Sequence, residues 1–310
     1  MTHGQRENQN RHGLAPIARQ TVMFIVSGYG YRATTTFSSA STTIVRGASV
    51  TVSEEYSRWN GFVTTPLLEA HDLDKTFPPL TRRDQPSAVL HGITMAVMPG
   101  EMVSIVGPSG SGKSTLLYCL SGLESPTSGA ISVMGHDLST MTRSQLTTLR
   151  SDHIGFVFQA FNLIPSLSAR QNVALPARLA RRGLDDQRID RALADVGLSG
   201  HARKRPGELS GGQQQRVAIA RVLASQPDIV FADEPTGSLD TANGAEVLRL
   251  LRRATTPTSA LVMVTHDLEA AALADRVLVM RDGTIHRELL SPTADAVLDA
   301  VRGARTVVEE

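Results

Sequence analysis

Short apolar runs alternate with longer amphipathic stretches along most of the chain. Mostly apolar segments of three to five residues lie at 88–90, 102–106, 229–232, 261–264 and 277–280. Runs of this length between helical patterns are typical of buried strands in a largely parallel sheet. The pattern therefore predicts an α/β domain that begins with a first strand near residue 67.

Two segments break this rhythm. Residues 160–206 contain two helical patterns, at 169–181 and 186–196, and no strong strand. This composition predicts an inserted helical subdomain. Near the C-terminus, one amphipathic pattern at 294–301 directly follows Thr293. Because threonine is a favoured N-cap residue, this pattern predicts a final helix.

The first 66 residues differ in composition from the rest. Seventeen of them are Ser or Thr, none is Lys, and no helical period persists. Such a segment buries too little apolar surface to offset the entropy of ordering, so we predict a disordered extension. Two alternatives stay open, namely a hairpin within 32–52 and a natural start of translation downstream. The predicted organisation is an extension over 1–66, an α/β domain over 67–290, and a helix and tail over 291–310.

Charge and cysteine content narrow the class of protein. The chain carries 31 Lys and Arg against 30 Asp and Glu, a net charge of +1, which gives no general attraction to nucleic acid or anionic lipid. The most apolar early stretch, 22–26, has five residues and is too short for a transmembrane helix or a signal peptide. The single cysteine, Cys119, excludes an internal disulfide and fits a reducing cytosol. We interpret it as a small buried hydrophobic residue.

A glycine-rich loop follows the strand predicted at 102–106. It matches G-x-x-x-x-G-K-[ST] and precedes a helical pattern at 116–120. Such a loop wraps backbone N–H groups around a β-phosphate, while its lysine bridges the β- and γ-phosphates and its serine supplies an oxygen to Mg²⁺. A plain Gly/Ser turn does not explain a lysine here, in a chain with only three lysines. The predicted nucleotide ligands are Gly107, Pro108, Ser109, Gly110, Ser111, Gly112, Lys113, Ser114 and Thr115, with Ser114 also a metal ligand.

Two acidic residues follow the strand predicted at 229–232. A carboxylate at the C-terminal end of such a strand lies beside the phosphate loop in this fold class, where Asp233 can hold Mg²⁺ through water. Glu234 would then face the attacking water and act on it as a general base. Alone, such a pair is most often a solvated loop, but the phosphate loop upstream favours a catalytic role.

The segment Leu-Ser-Gly-Gly-Gln-Gln-Gln-Arg at 209–216 opens a helical pattern at 213–225. Its serine is suited to cap the helix and its glycines leave backbone amides open, which predicts a second anion-binding helix start. One triphosphate does not need two such sites from one chain. We therefore expect this segment to bind a nucleotide held by another copy. Its predicted nucleotide ligands are Ser210, Gly211, Gly212 and Gln213.

These motifs, in this order, resemble the ATP-binding subunits of ABC transporters over residues 67–290. The resemblance implies a P-loop NTPase (RecA-like) core with an antiparallel β subdomain and an inserted α-helical subdomain, and it implies hydrolysis of ATP with Mg²⁺. It also assigns four further residues. Gln159 is expected to reach the metal and the attacking water, and His266 the γ-phosphate. Asp240 would lie across a dimer interface, and Phe77 would stack on adenine in place of the family's usual tyrosine.

Residues 154–176 are similar to the ABC ATPases that serve lipoprotein release, macrolide export and FtsE-type cell division. This similarity implies a bacterial protein, peripheral at the cytoplasmic face of the cell membrane, that forms a homodimer around two ATP and drives a separate integral-membrane permease of the FtsX or MacB type. A short permease helix would rest beside Gln159 on an apolar cluster. Such a cluster either closes over the local core or stays partly exposed as a binding patch, and we expect the exposed patch. This docking cluster consists of Phe161, Leu163, Ile164 and Leu167.

Two other classes stay open. A soluble ABC ATPase that acts on nucleic acid or ribosomes would need a basic patch, a long coiled-coil insertion or a second cassette. The sequence has a net charge of +1, no heptads and one cassette. A regulatory binder without catalysis would lack Lys113, Glu234 or His266, and all three are present.

Overall fold

The computed structural model describes residues 65–79, 85–180, 183, 185–237 and 239–305. The predictions for residues 1–64 lie outside these. The strands are β1 (Leu68–Phe77), β2 (Ser87–Val97), β3 (Met102–Val106), β4 (Ser128–Val133), β5 (His136–Asp137), β6 (Ile154–Val157), β7 (Ile229–Asp233), β8 (Ala260–Val264), β9 (Arg276–Arg281) and β10 (Thr284–Leu290). The α-helices are α1 (Lys113–Leu120), α2 (Arg143–His153), α3 (Ala169–Leu179), α4 (Asp186–Asp195), α5 (Gly211–Ser225), α6 (Thr241–Ala254), α7 (Leu268–Ala272) and α8 (Ala294–Arg305).

A six-stranded sheet in the order β10-β9-β3-β8-β7-β6 forms the centre of the fold. The strands from β9 to β6 pair in parallel, and β10 pairs antiparallel with β9. Alternate residues of β3 face two separate cores. Met102 and Val106 pack with residues of α3 to α8, whereas Val103 and Ile105 pack with α1 and a second sheet. Both faces are therefore covered, as in other parallel sheets, and the predicted α/β fold is confirmed.

The second sheet has four antiparallel strands in the order β2-β1-β4-β5. The apolar run 88–90 lies in β2 of this sheet, so its grouping with the parallel strands was wrong. Residues Ser87 and Ala88 are exposed, and β2 is continuously buried only from Met95. Three apolar residues are too few to distinguish a strand covered on both faces from one that is half exposed.

Both helices predicted within 160–206 form, and α3 and α4 pack against α5. The helix predicted at 213–225 starts two residues earlier, at Gly211. The C-terminal helix α8 is longer than the predicted 294–301. Its cap is present, because Thr293 Oγ1 accepts a hydrogen bond from the amide of Ala296 at 3.3 Å.

Cys119 lies on α1 as a fully buried free thiol. Burial raises the pKa of this thiol to about 11, so the neutral group packs as a small hydrophobic residue. Among the described residues, no helix is both long and apolar enough to cross a membrane.

Candidate nucleotide site

The phosphate loop connects the end of β3 to the start of α1, and close packing requires two of its glycines. A Cβ atom on Gly107 would lie 2.3 Å from the Met280 carbonyl oxygen, and one on Gly112 would lie 2.9 Å from the Val89 carbonyl oxygen. Gly110 and Gly112 also have φ of +81° and +93°, which other residues rarely adopt. Gly112 precedes α1 without a side-chain cap, so the first amides of this helix remain available to an anion.

Lys113 provides a cation within this loop. Its Nζ donates hydrogen bonds to the carbonyl oxygens of Gly107 at 3.0 Å and Pro108 at 2.8 Å. Burial lowers the pKa of Lys113, while the nearby carboxylates of Glu234 and Asp233 act in the opposite direction. The side chain is therefore folded back over the loop, in reach of phosphates that the loop amides would bind.

Asp233 joins the phosphate loop to β7. Ser114 Oγ donates to Asp233 Oδ1 at 3.2 Å, and the Tyr118 hydroxyl donates to Oδ2 at 2.7 Å. Burial, together with this hydrogen bond to Asp233, raises the pKa of Tyr118 to about 12. Sequence reasoning missed Tyr118, although its position four residues after Ser114 on α1 places both side chains on one helix face.

The oxygen atoms of Asp233 and Ser114 fit Mg²⁺. This ion is commonly bound by one or two carboxylates together with substrate phosphates. The described residues contain no group of three or more His, Cys, Asp or Glu that could hold a metal ion by itself. A Mg²⁺ site here would therefore be completed by the phosphates of the nucleotide.

Glu234 and His266 form a pair at the ends of β7 and β8. His266 Nδ1 lies 2.8 Å from Glu234 Oε2, and the His266 backbone N–H donates to the same oxygen at 3.3 Å. The Glu234 side chain is 17% exposed and that of His266 is 71% exposed. Glu234 has φ of +46° and is held there because its amide donates to the Val264 carbonyl oxygen at 2.9 Å. The pair thus presents a fixed carboxylate at the carboxyl end of the sheet.

Gln159 lies two residues beyond β6, on the same edge. Its side chain is close to the turn after Glu234, because a Cβ atom on Gly237 would lie 3.0 Å from Gln159 Nε2. The Gly237 amide in turn donates to the Glu234 carbonyl oxygen at 3.1 Å. The strand order β3-β8-β7-β6 therefore places the phosphate loop, His266, Glu234 and Gln159 along one edge, where open α/β sheets bind ligands.

The Ser210–Gln213 signature segment lies at the start of α5. The side chains of Ser210 and Gln213 cap each other's backbone amides. Gly212 packs against Asn243 of α6, with 3.1 Å between a Cβ built on Gly212 and Asn243 Oδ1. Asp240 caps α6 and accepts hydrogen bonds from the Asn243 amide and side chain, which lower the pKa of Asp240.

These signature groups contact one another and not the phosphate loop. In the part of the chain that the structure describes, no hydrogen bond or ion pair joins Ser210–Gln213 to the phosphate loop. This placement differs from that of Asp233, which is hydrogen-bonded to Ser114 of the loop, and from that of Gln159, Glu234 and His266, which follow strands β6, β7 and β8 at the same edge of the sheet as the loop. It fits a signature that faces a nucleotide on another copy.

Phe77 ends β1 and is partly buried. Lys75 Nζ lies 4.6 Å from the centroid of the Phe77 ring, a distance typical of a cation–π contact. The same ammonium donates to the Ser125 carbonyl oxygen at 2.7 Å. Lys75, for which the sequence predicts no role, thus contacts one side of the candidate adenine-stacking ring.

The docking cluster follows Gln159 and is partly exposed. Ile164 is 40% exposed, and Leu163 packs against the core beneath. The loop is held by two residues that sequence reasoning missed. Buried Asn172 binds the backbone of the loop through its side-chain amide, and Arg221 of α5 donates to the Asn162 carbonyl oxygen at 2.9 Å.

Comparison with known proteins also indicates an ATP-binding cassette. The family model described as ABC transporter matches residues 90–237. The macrolide export ATP-binding/permease protein MacB of Chromobacterium violaceum is 48% identical over 216 residues, which cover 69% of this chain and 33% of that protein. MacB of Shigella flexneri is 43% identical over 248 residues, which cover 79% and 37%. The chain thus spans about a third of the length of these curated relatives.

Solved structures match over nearly their whole length. The ATP-binding cassette MJ0796, in a dimeric post-hydrolysis state bound to ADP and Pi, is 37% identical with a TM-score of 0.67, and the match covers 73% of this chain and 99% of that chain. CbiO1 from Clostridium perfringens, part of the ABC transporter complex cbiONQ, is 29% identical with a TM-score of 0.64, covering 78% and 96%. The predicted resemblance is confirmed: the chain belongs to the ABC transporter family, as one of its ATP-binding cassettes.

Proposed function

We propose that the chain binds ATP with Mg²⁺, hydrolyses it, and drives a separate integral-membrane permease from the cytoplasmic face of a bacterial membrane. The observation that carries the proposal is the Glu234–His266 pair, which stands beside the loop of Lys113 and the carboxylate of Asp233. A merely structural loop does not need these groups together, whereas phosphoryl transfer to water needs all of them. Their joint presence also argues against a regulatory binder, and the comparisons give no support to a nucleic-acid partner.

Each group has a distinct role in this reaction. The loop amides and Lys113 hold the β- and γ-phosphates through charge-assisted hydrogen bonds. Asp233 and Ser114 would hold Mg²⁺, which would neutralise phosphate charge when bound. Glu234 accepts a proton from the attacking water as general base. His266 keeps Glu234 Oε2 in one orientation through its ring and its backbone N–H.

The signature segment supports a homodimer around two ATP. The capping box of Ser210 and Gln213 leaves the Gly211 and Gly212 amides at the helix start for an anion, and the segment lies away from the phosphate loop of its own chain. A second copy related by a twofold axis would place each signature against the nucleotide of its partner. The relative MJ0796 is a dimer in its solved structure, which favours this arrangement.

Glu234→Gln tests hydrolysis and dimerisation together. Glutamine preserves the shape and can still accept the His266 N–H, but it cannot act as a base. We expect ATP binding to persist, turnover to stop, and the molar mass in light scattering to double with saturating ATP. The matched control Glu234→Gln/Lys113→Ala should remain monomeric, because it cannot hold the triphosphate. A single variant that stays monomeric with ATP bound would contradict the composite site.

The docking cluster supports a permease partner of the FtsX or MacB type. An exposed apolar patch directly after Gln159 gives such a partner a mechanical route to the attacking water. Replacement of Phe161 or Leu163 by glutamate should spare ATP binding by the isolated chain. The same change should abolish co-purification with a co-expressed MacB-type permease and the stimulation of hydrolysis. Normal coupling by a folded variant would show that the docking site lies elsewhere.

A further inference from the structure

The turn between β9 and β10 bridges the phosphate loop and β2. Asp282 and Gly283 form the turn with φ of +46° and +74°. The Gly283 amide donates to the Ser111 carbonyl oxygen of the phosphate loop at 3.3 Å, and the Gly283 carbonyl oxygen accepts from the His91 amide of β2 at 2.9 Å. One buried glycine thus connects two elements that are distant in sequence.

No side chain fits at this bridge. A Cβ atom on Gly283 would lie 2.4 Å from the Val89 carbonyl oxygen and 2.7 Å from His91 Cδ2. The same Val89 oxygen would lie 2.9 Å from a Cβ on Gly112, at the end of the phosphate loop. Backbone atoms cannot move aside as flexible side chains do, so the turn, β2 and the loop form one close-packed junction.

The hairpin also borders the beginning of the loop. Met280, three residues before Gly283, places its carbonyl oxygen 2.3 Å from the position of a Cβ on Gly107. The first and last glycines of the loop are therefore confined by backbone atoms of the hairpin and of β2.

The hydrogen bond to Ser111 sets the direction of a phosphate-binding group. A trans peptide unit is planar, with its C=O and N–H on opposite sides. Because the Ser111 carbonyl is held toward the turn, the N–H of Gly112 in the same peptide unit points away from the turn. Backbone N–H groups aimed into the loop are what bind phosphate.

We propose that the β9–β10 turn positions the phosphate loop, and that Gly283 is a positioning residue for nucleotide binding. The proposal rests on the proposed function, since it concerns the affinity of the same loop for ATP. Gly283 lies outside every sequence motif of the site. A side chain at this position would nevertheless displace the turn from Ser111 and change the orientation of the phosphate loop.

Gly283→Ala tests this proposal against a matched control. Gly129 has φ of +86°, and a Cβ there would lie 2.4 Å from the Asp72 carbonyl oxygen, so Gly129→Ala introduces a similar backbone clash in the other sheet. We expect the Kd for ATP and for ADP, from titration calorimetry, to rise about tenfold or more in Gly283→Ala, since displacement of a positioning group by about 1 Å has large effects. Gly129→Ala should keep the wild-type affinity.

Wild-type affinity in Gly283→Ala, or an equal loss in both variants, would overturn the proposal. Failure of the wild-type chain itself to bind ATP would instead refute the proposed function. Hydrogen exchange on the wild-type chain gives a test that does not depend on variant folding. ATP should slow exchange of the Gly283 amide severalfold and leave the turn at Gly135 unchanged. Equal exchange at Gly283 with and without ATP would overturn the proposal.

Discussion

The Asn172→Ala substitution should lower the free energy of unfolding of the cassette far more than the loss of an exposed polar side chain does. Asn172 is fully buried on α3. Its Oδ1 accepts from the Ile164 amide at 2.8 Å, and its Nδ2 lies within 3.1–3.2 Å of the carbonyl oxygens of Ile164, Leu167 and Ser168. The side chain thus binds both ends of the short segment 164–168, which carries two of the four residues of the docking cluster.

The expected cost follows from these contacts. A side-chain amide has two protons to donate, so its four contacts amount to about three independent hydrogen bonds. At a net value of about 1 kcal/mol each, their loss costs about 3 kcal/mol. Ser168 O stays satisfied, because it also accepts from the Asn172 backbone amide, and Ile164 is open to water. We therefore expect a loss of about 2–3 kcal/mol, or about 5–10 °C in Tm for a domain of this size.

Guanidinium unfolding and thermal circular dichroism measure this loss directly. The neighbouring Gln171→Ala removes one exposed hydrogen bond, to the Ser168 amide, and should cost about 0.5–1 kcal/mol. The slope of the unfolding free energy against denaturant concentration, the m-value, should be the same in each variant and the wild type. An unchanged m-value would show that the variants differ in stability and not in the surface exposed on unfolding. Equal losses in the two variants, or a loss under about 1 kcal/mol in Asn172→Ala, would refute the reasoning.

Three further outcomes are expected. Lys113→Ala should abolish ATP binding in titration calorimetry, because it removes the cation bound to the phosphate loop; unchanged affinity would contradict this role. Tyr118→Phe should raise the Mg²⁺ concentration for half-maximal hydrolysis about tenfold, because it frees Asp233, the carboxylate proposed to bind the metal, from its orienting hydrogen bond; an unchanged Mg²⁺ requirement would show that Tyr118 has no such role. Arg252 lowers the pKa of Asp275 by hydrogen bonding. The resulting stability is complete above the unfolded pKa of about 3.9 and is lost as the pH falls through the lower folded value. Arg252→Gln should therefore cost under about 1 kcal/mol at pH 7, as for an exposed pair, and progressively less as the pH falls below about 4, measured by chemical denaturation.

The sequence predicts the local structure of the candidate nucleotide site well where the residues involved are close in sequence. The run from Met102 to Val106 is apolar enough to identify β3, and the phosphate loop follows it directly. Ser210 and Gln213 are close enough in sequence to be identified as a helix start. In each case the residues that cooperate lie within a few positions of one another, so that spacing alone constrains the geometry.

Contacts between distant segments could not be predicted in this way. Tyr118 meets Asp233 across 115 residues, and Gly283 meets the phosphate loop only because β9 pairs with β3. Helix α2 was also missed, since only Leu149 of its residues is buried and it has no apolar stripe. It forms because Thr142 and Gln145 cap its first turn reciprocally.

The position of β6 at the edge of the central sheet affects how related cassettes can diverge in the partner that they bind. Among the described residues, β6 pairs with β7 alone, so the docking cluster begins beyond the outermost strand of the central sheet. The strands β3, β8 and β7, which lead to Lys113, His266 and Glu234, lie further inside. The helical segment at 160–206 can therefore be lengthened, shortened or exchanged without breaking a hydrogen bond among those strands. The segment that contacts a partner can therefore diverge while the residues for hydrolysis are retained. A cassette that receives residues 160–206 from a relative should gain the partner of that relative and keep its own hydrolytic residues.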